Sequence, residues 1–312
     1  MEPQGKSDAA AAVGCPAETS QAGRADICKG CPGQAMCQKQ GGTDPDQEMI
    51  DLRMNAIKHK ILVISGKGGV GKSSLAATLS MAFAKSHPNK VGLVDVDVCG
   101  PSCPRLMAVE NQKVVNTEWG WTPLKSSHGN VKVMSVGSLL NQTDSAVIWR
   151  GPRKTQLIKR FLKDTFWGRL DYLFFDTPPG TSDEHLTVVK VLKNVNPDGA
   201  IIVSTSQMVA LATVRKEITF CRKMGLKILG VVENMSGFVC PCCQEETDLF
   251  PAGCVEELAQ EFQLKYLGRI PMDPTWTSCC EAGQSLLEEH PDSSTSKALM
   301  ELANTLKKCL QS

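Results

Sequence analysis

One stretch, Gly66-Lys67-Gly68-Gly69-Val70-Gly71-Lys72-Ser73, constrains this chain more than any other. It fits the phosphate-binding pattern G-x-x-x-x-G-K-[ST]. Such a loop must leave a buried strand and open a helix, so that exposed N–H groups and the positive helix end converge on phosphate. Both flanks comply. Ile61-Leu62-Val63-Ile64-Ser65 is a continuous apolar run, as expected of a strand buried on both faces. From Ser73 to Lys85, Leu75, Leu79, Ala82 and Phe83 recur at helical spacing. Lys72 is expected on the β- and γ-phosphates and Ser73 on Mg²⁺, with Ser74 completing the cradle. Lys67 is a second lysine inside the loop. A lysine there reaches toward a partner subunit's phosphates, which points to a nucleotide-dependent dimer.

Apolar runs recur at Val91–Val96, Val131–Val136, Tyr172–Phe175, Ala200–Val203, Ile228–Val232 and Leu267–Ile270. Helical periodicity fills gaps near 152–164, 184–194, 208–224 and 296–310. This alternation predicts an α/β fold, a mostly parallel sheet with helices on both faces. Leu299, Leu302, Leu306 and Leu310 form one stripe, read as core packing rather than a membrane-surface face. Residues 1–55 are poor in large apolar side chains and read as a mobile, cysteine-rich extension, ahead of an ATPase domain at 56–312.

Composition excludes several classes. With Lys+Arg 34 against Asp+Glu 33, the net charge of +1 gives no whole-chain attraction to nucleic acid or anionic lipid. No apolar run approaches the ~20 residues of a membrane span. No apolar run follows a basic N-terminal segment, so no secretory signal is expected.

Carboxylates at strand ends complete the nucleotide site. Asp97, in Asp95-Val96-Asp97, is the candidate to orient the attacking water, while Asp95 fixes the loop or the Mg²⁺ hydration shell. Asp176, in Asp176-Thr177-Pro178-Pro179-Gly180, acts on Mg²⁺ through water. The chain has no Asn-Lys-x-Asp guanine motif. Asn234 is a candidate for an adenine edge and Pro271 for packing on the base, which favours ATP over GTP. His185, after Asp183-Glu184, reads as a helix N-terminal residue.

Fourteen cysteines without an export signal suggest metal or redox chemistry. Cys15, Cys28, Cys31 and Cys37 form a C-x12-C-x2-C-x5-C array suited to Zn²⁺ or an iron–sulfur cluster. Cys240-Pro241-Cys242-Cys243 offers a C-x-x-C pair, Cys240 and Cys243, with Cys242 an alternative member. A pair is half of a four-thiolate site, and a second subunit on a two-fold axis supplies the other half. Cys99 and Cys103 read as small buried side chains. Cys221, Cys254, Cys279, Cys280 and Cys309 show no ligand spacing.

Taken together, Gly66–Ser74, Asp95–Pro101, Trp149-Arg150-Gly151-Pro152, Asp176–Gly180, Asn234-Met235-Ser236-Gly237 and the C-x-x-C pair resemble the Mrp-type branch of the deviant Walker A ATPases. The resemblance implies a [4Fe-4S] cluster on Cys15, Cys28, Cys31 and Cys37, and a labile [4Fe-4S] cluster bridging subunits through Cys240 and Cys243. It implies slow ATP hydrolysis that gates cluster loading or release. It further implies a heterotetramer with a shorter paralogous ATPase lacking the extension, and downstream targeting factors. Cytosolic and nuclear apo-proteins would receive the cluster, which places the chain in the cytoplasm and the nucleus. Two other functions fit parts of the pattern: a dimeric ATPase with a zinc-bridged C-x-x-C used in protein targeting, and a positioning ATPase acting on membrane or DNA. The N-terminal array favours the scaffold over both.

Overall fold

The computed structural model describes residues 24–31, 34, 45–98, 100–139, 151–240, 245–251 and 253–311. Cys15, Cys37, Cys99, Cys242, Cys243, Trp149 and Arg150 lie outside them. The chain divides into two compact units, residues 1–49 and 50–312. In the first, Asp26–Cys28 forms a 3-10 turn. The Cys31 N–H donates to the Cys28 carbonyl at 3.1 Å, and Gly30, at φ +83°, permits the reversal. Cys28 and Cys31 therefore bracket one tight turn.

In the second unit, Ile50 and Met54, on helix α1 (Pro45–Asn55), are fully buried among Ile57 and Leu62. Two apolar residues at i and i+4 form a stripe too short for periodicity to register, and packing decides it.

Among the described residues, nine strands form the main sheet. In chain order the parallel ones are β1 (Ile57–Ile64), β2 (Val91–Asp95), β6 (Lys132–Ser135), β7 (Leu170–Asp176), β8 (Gly199–Ser204), β9 (Ile228–Val239) and β11 (Tyr266–Met272). β5 (Leu124–Lys125) and β10 (Glu246–Thr247) pair antiparallel, on β6 and β9. β3 (Val115–Thr117) and β4 (Gly120–Thr122) make a separate hairpin that the sequence did not signal. The order is β10-β9-β8-β1-β7-β2-β6-β5, with β11 on β9.

Alternation along β1 feeds two cores. Ile61 and Val63 join helices α2 (Lys72–Ser86) and α10 (Ser294–Gln311), where Leu75, Phe83, Leu299, Leu302 and Leu306 are buried. The carboxy-terminal stripe is core packing, as expected. Leu62 and Ile64 face the other core, with α4 (Gly151–Asp164), α5 (Asp183–Leu192), α6 (Met208–Met224) and α7 (Cys254–Glu261). Each fully buried aliphatic side chain contributes about 1.5–3 kcal/mol, so both faces of the sheet are strongly specified. Among the described residues, no helix is long and apolar enough to cross a membrane. β1 lies between β7 and β8, so the crevice at its carboxyl end is where an open α/β sheet receives ligands.

Candidate functional site

The loop leaving β1 fills that crevice. Gly69 and Gly71 sit at φ +80° and +81°, a region open to glycine without strain, and Gly71 caps α2. A Cβ on Gly66 would lie 2.6 Å from Thr213 Oγ1 and 2.8 Å from the Thr213 carbonyl carbon on α6. Only glycine lets the loop lie so close to that helix. The loop after β7 is tied to the same base, since Thr177 Oγ1 donates to Val63 O at 2.9 Å and Gly180 N–H to Ser65 O at 2.8 Å.

Beneath the loop is a buried charge centre. Lys72 Nζ forms an ion pair with Asp176 Oδ1 and donates to Ser73 Oγ at 3.0 Å. Asp176 and Asp95 are both 0% exposed. Asp95 Oδ1 accepts from Asp97 N–H, and Oδ2 from Cys103 N–H and Ser135 Oγ, each at 3.1 Å. Asp95 is thus the loop-fixing carboxylate. Burial first, and then the Asp176 charge, push its carboxyl up to about 7. Cys103 Sγ donates to Asp176 Oδ2 at 3.5 Å, and burial raises its pKa well above the usual thiol value. It is a thiol here, a role that sequence reading missed because its partner is 73 positions away.

The four residues expected to be catalytic are placed unequally. Lys72 and Asp176 meet in the buried centre. Asp97, two positions past the end of β2, is half-buried and accepts from Gly100 N–H at 3.1 Å. Lys67 is exposed. The donor set of Ser73 hydroxyl and Asp176 carboxylate suits a hard divalent ion, so these residues fit Mg²⁺.

Asn234 and Pro271, far apart in sequence, line one cavity with Gly71, Ser74, Met235 and Trp276. Asn234 lies within β9, which runs to Val239 and so extends well past Val232. Asn234 Nδ2 donates to Val70 O at 2.9 Å, while its buried Oδ1 has no partner. An unpartnered acceptor on a residue lining a cavity beside a phosphate loop suits the amino group of a base. Trp276 Nε1 donates to Thr78 Oγ1 at 3.1 Å, joining α8 (Pro274–Ala282) to α2. A larger cleft, lined by Glu233, Tyr266, Arg269 and Glu301, does not include the loop.

Cys240 follows β9 directly, and its N–H donates to Glu245 O at 3.0 Å, next to the β9–β10 pair. His185 caps α5 as expected: Ser182 N–H donates to its Nδ1 at 3.4 Å. Burial, and then the Lys72 charge, push its pKa down to about 4, so it is neutral. Cys221 and Cys279 are buried like Cys103, and Cys254, Cys280 and Cys309 are half-buried.

Residues 56–307 match the model of a ParA-type family described as NUBPL iron-transfer P-loop NTPase. A nucleotide-binding protein from Archaeoglobus fulgidus, solved in complex with ADP, is 39% identical over 78% of this chain and 93% of its own, with a TM-score of 0.67. The cell division ATPase MinD of Pyrococcus furiosus is 24% identical over 80% of this chain and 98% of its own, with a TM-score of 0.60. The Mg-ADP complex of Pyrococcus horikoshii MinD is 22% identical over 80% and 96%, also at 0.60. The two MinD structures establish the fold alone.

Proposed function

The chain belongs to the NUBPL-type iron-transfer P-loop NTPase family, and on that premise we propose that it is an ATP-dependent scaffold that assembles [4Fe-4S] clusters and transfers them to cytosolic and nuclear apo-proteins. Within the family it has the make-up of the long, N-terminally extended subunit of the cytosolic cluster-assembly scaffold. That subunit works as a heterotetramer with a shorter paralogous ATPase and downstream targeting factors, in the cytoplasm and nucleus.

One observation carries this reading. The strand that places Asn234 in the nucleotide cavity delivers Cys240 six positions later. In this reading, the strand couples occupancy of the cavity to the position of the first C-x-x-C thiolate. The cargo cluster is held by Cys240 and Cys243 with their counterparts in a second subunit. The N-terminal array fits a resident cluster in chemistry, since soft thiols at Cys28 and Cys31 bracket one turn. Cys15 and Cys37 complete that set.

Each residue of the ATPase site has a defined task. Backbone N–H groups from Gly66 to Ser74 cradle the phosphates. With nucleotide bound, Lys72 would contact the phosphates in place of Asp176, and Ser73, with Asp176 acting through water, would hold Mg²⁺. The ion supplies charge neutralisation of the phosphates. Asp97 orients water at the mouth, and Lys67 reaches across the dimer. Asn234 Oδ1 accepts from the adenine amino group, with Pro271 against the base.

The test is anaerobic purification with iron, sulfide and zinc analysis. The expected result is about four iron and four sulfide per N-terminal array, with further uptake at Cys240 and Cys243 on reconstitution. Stoichiometric zinc with no iron–sulfide chromophore would instead support a zinc-bridged targeting ATPase and overturn the scaffold.

A further inference from the structure

Between Asn234 and Cys240 the backbone of β9 is irregular. Against β11, Ile270 pairs with Asn234 and Met272 with Phe238, so four steps on β9 oppose two on its neighbour. The excess is a bulge, and Met235 within it adopts φ +56°, a left-handed conformation that L side chains with a bulky Cβ resist. Both ends of the bulge are anchored. On the near side, buried Glu233 accepts from Tyr266 OH at 2.8 Å and from Ser206 Oγ. Inside it, Ser236 Oγ donates to Ile270 O at 3.1 Å. On the far side, Phe238 and Val239 pair with β10 under the Cys240–Glu245 closure. The Met235 side chain reaches the phosphate loop, with its Cε 3.9 Å from the Cβ position of Gly71, and lines the nucleotide cavity.

We infer that Met235 is a positioning residue: its strained bulge converts nucleotide occupancy of the cavity into a change in the position of Cys240. A ligand filling the cavity presses on the Met235 side chain, the bulge yields, and the pairing beyond it carries the movement to Cys240. Strain held by anchored neighbours is a recurrent feature of switch segments. The inference rests on the scaffold reading above, and deepens its coupling step.

The experiment measures the alkylation rate of Cys240 by iodoacetamide in the full-length apo-protein, by peptide mass spectrometry, with and without Mg-ATP. Wild type, Met235→Gly and Met235→Leu are compared, each at saturating Mg-ATP so that a change in affinity does not enter. In the wild type, nucleotide changes the rate roughly 5-fold or more, the lower end of ordinary allosteric coupling. Met235→Gly removes both the backbone strain and the side chain in the cavity, and brings the ratio to about 1. Met235→Leu keeps a Cβ at positive φ and a side chain in the cavity, and retains the response. A Met235→Gly protein with the wild-type ratio overturns the inference. A wild type with no nucleotide response overturns instead the gating that it rests on.

Discussion

Removing the charge of Lys72 tests the buried centre directly. Lys72 is 7% exposed and Asp176 0%, and Asp95, also fully buried, feels both. Lys72→Met keeps the apolar stem but strands two carboxylates in the interior without their cation. Breaking a buried pair from one side costs about 3–5 kcal/mol. At roughly 2–4 °C per kcal/mol for a chain of this size, the melting temperature falls about 6–20 °C. Asp176→Asn is milder, because Lys72 keeps Asp95 as a charge neighbour. The double variant Lys72→Met/Asp176→Asn costs less than the sum, with a coupling of about 2 kcal/mol. The sign of the pH dependence follows from Asp95. Its folded pKa, about 7, lies above the unfolded 3.8. Its contribution is therefore fully present below 3.8 and is lost as pH rises through about 7. Lys72 lowers that folded pKa, so in Lys72→Met the carboxyl holds its proton to higher pH and the penalty shrinks as pH falls. Urea unfolding of the four proteins at about pH 6, 7 and 8 reads each quantity. A Lys72→Met protein within about 0.5 kcal/mol of wild type at pH 8, or a penalty independent of pH, would refute the reasoning.

Two further outcomes follow from the same physics. Glu217 on α6 is 1% exposed, its Oε2 has no partner, and burial pushes its carboxyl up to about 7. The contribution of this raised group is complete below its unfolded pKa and lost as pH rises through about 7. Glu217→Met should therefore add about 1–4 kcal/mol in urea unfolding at pH 8 and less at pH 5, and an equal gain at both would discard the buried-charge account. Gly71→Ala must hold a Cβ at φ +81° against Asn234 Nδ2. Fluorescent-ADP titration should show affinity reduced ~10-fold or more, as about 1–2 kcal/mol of backbone strain adds to the displaced Asn234. Unchanged affinity would remove Asn234 from the site.

What was legible in the sequence is what is local. The loop at Gly66–Ser73, the strand before it and Asp176 at the end of its own strand are each set by residues within a few positions, and all stand where expected. The fold class follows from the same alternation. Less legible were features set by contacts across the chain. Lys72 meets Asp176 over 104 positions, and Trp276 meets Thr78 over 198, so neither pairing leaves a trace in any window. The β3–β4 hairpin is short, with β3 exposed and β4 half-buried, and lacks the apolar alternation that marks a strand. β9 is the instructive case. Its apolar run stops at Val232, because Glu233, Asn234 and Ser236 are polar yet buried, each bonded to a specific partner. A hydrophobicity pattern ends the strand there, and the pairing continues it to Val239. Polar residues are held inside a sheet only where partners compensate their lost hydration. The interruption in the pattern therefore marks the half of the strand that the proposal assigns to the site, between the cavity at Asn234 and Cys240.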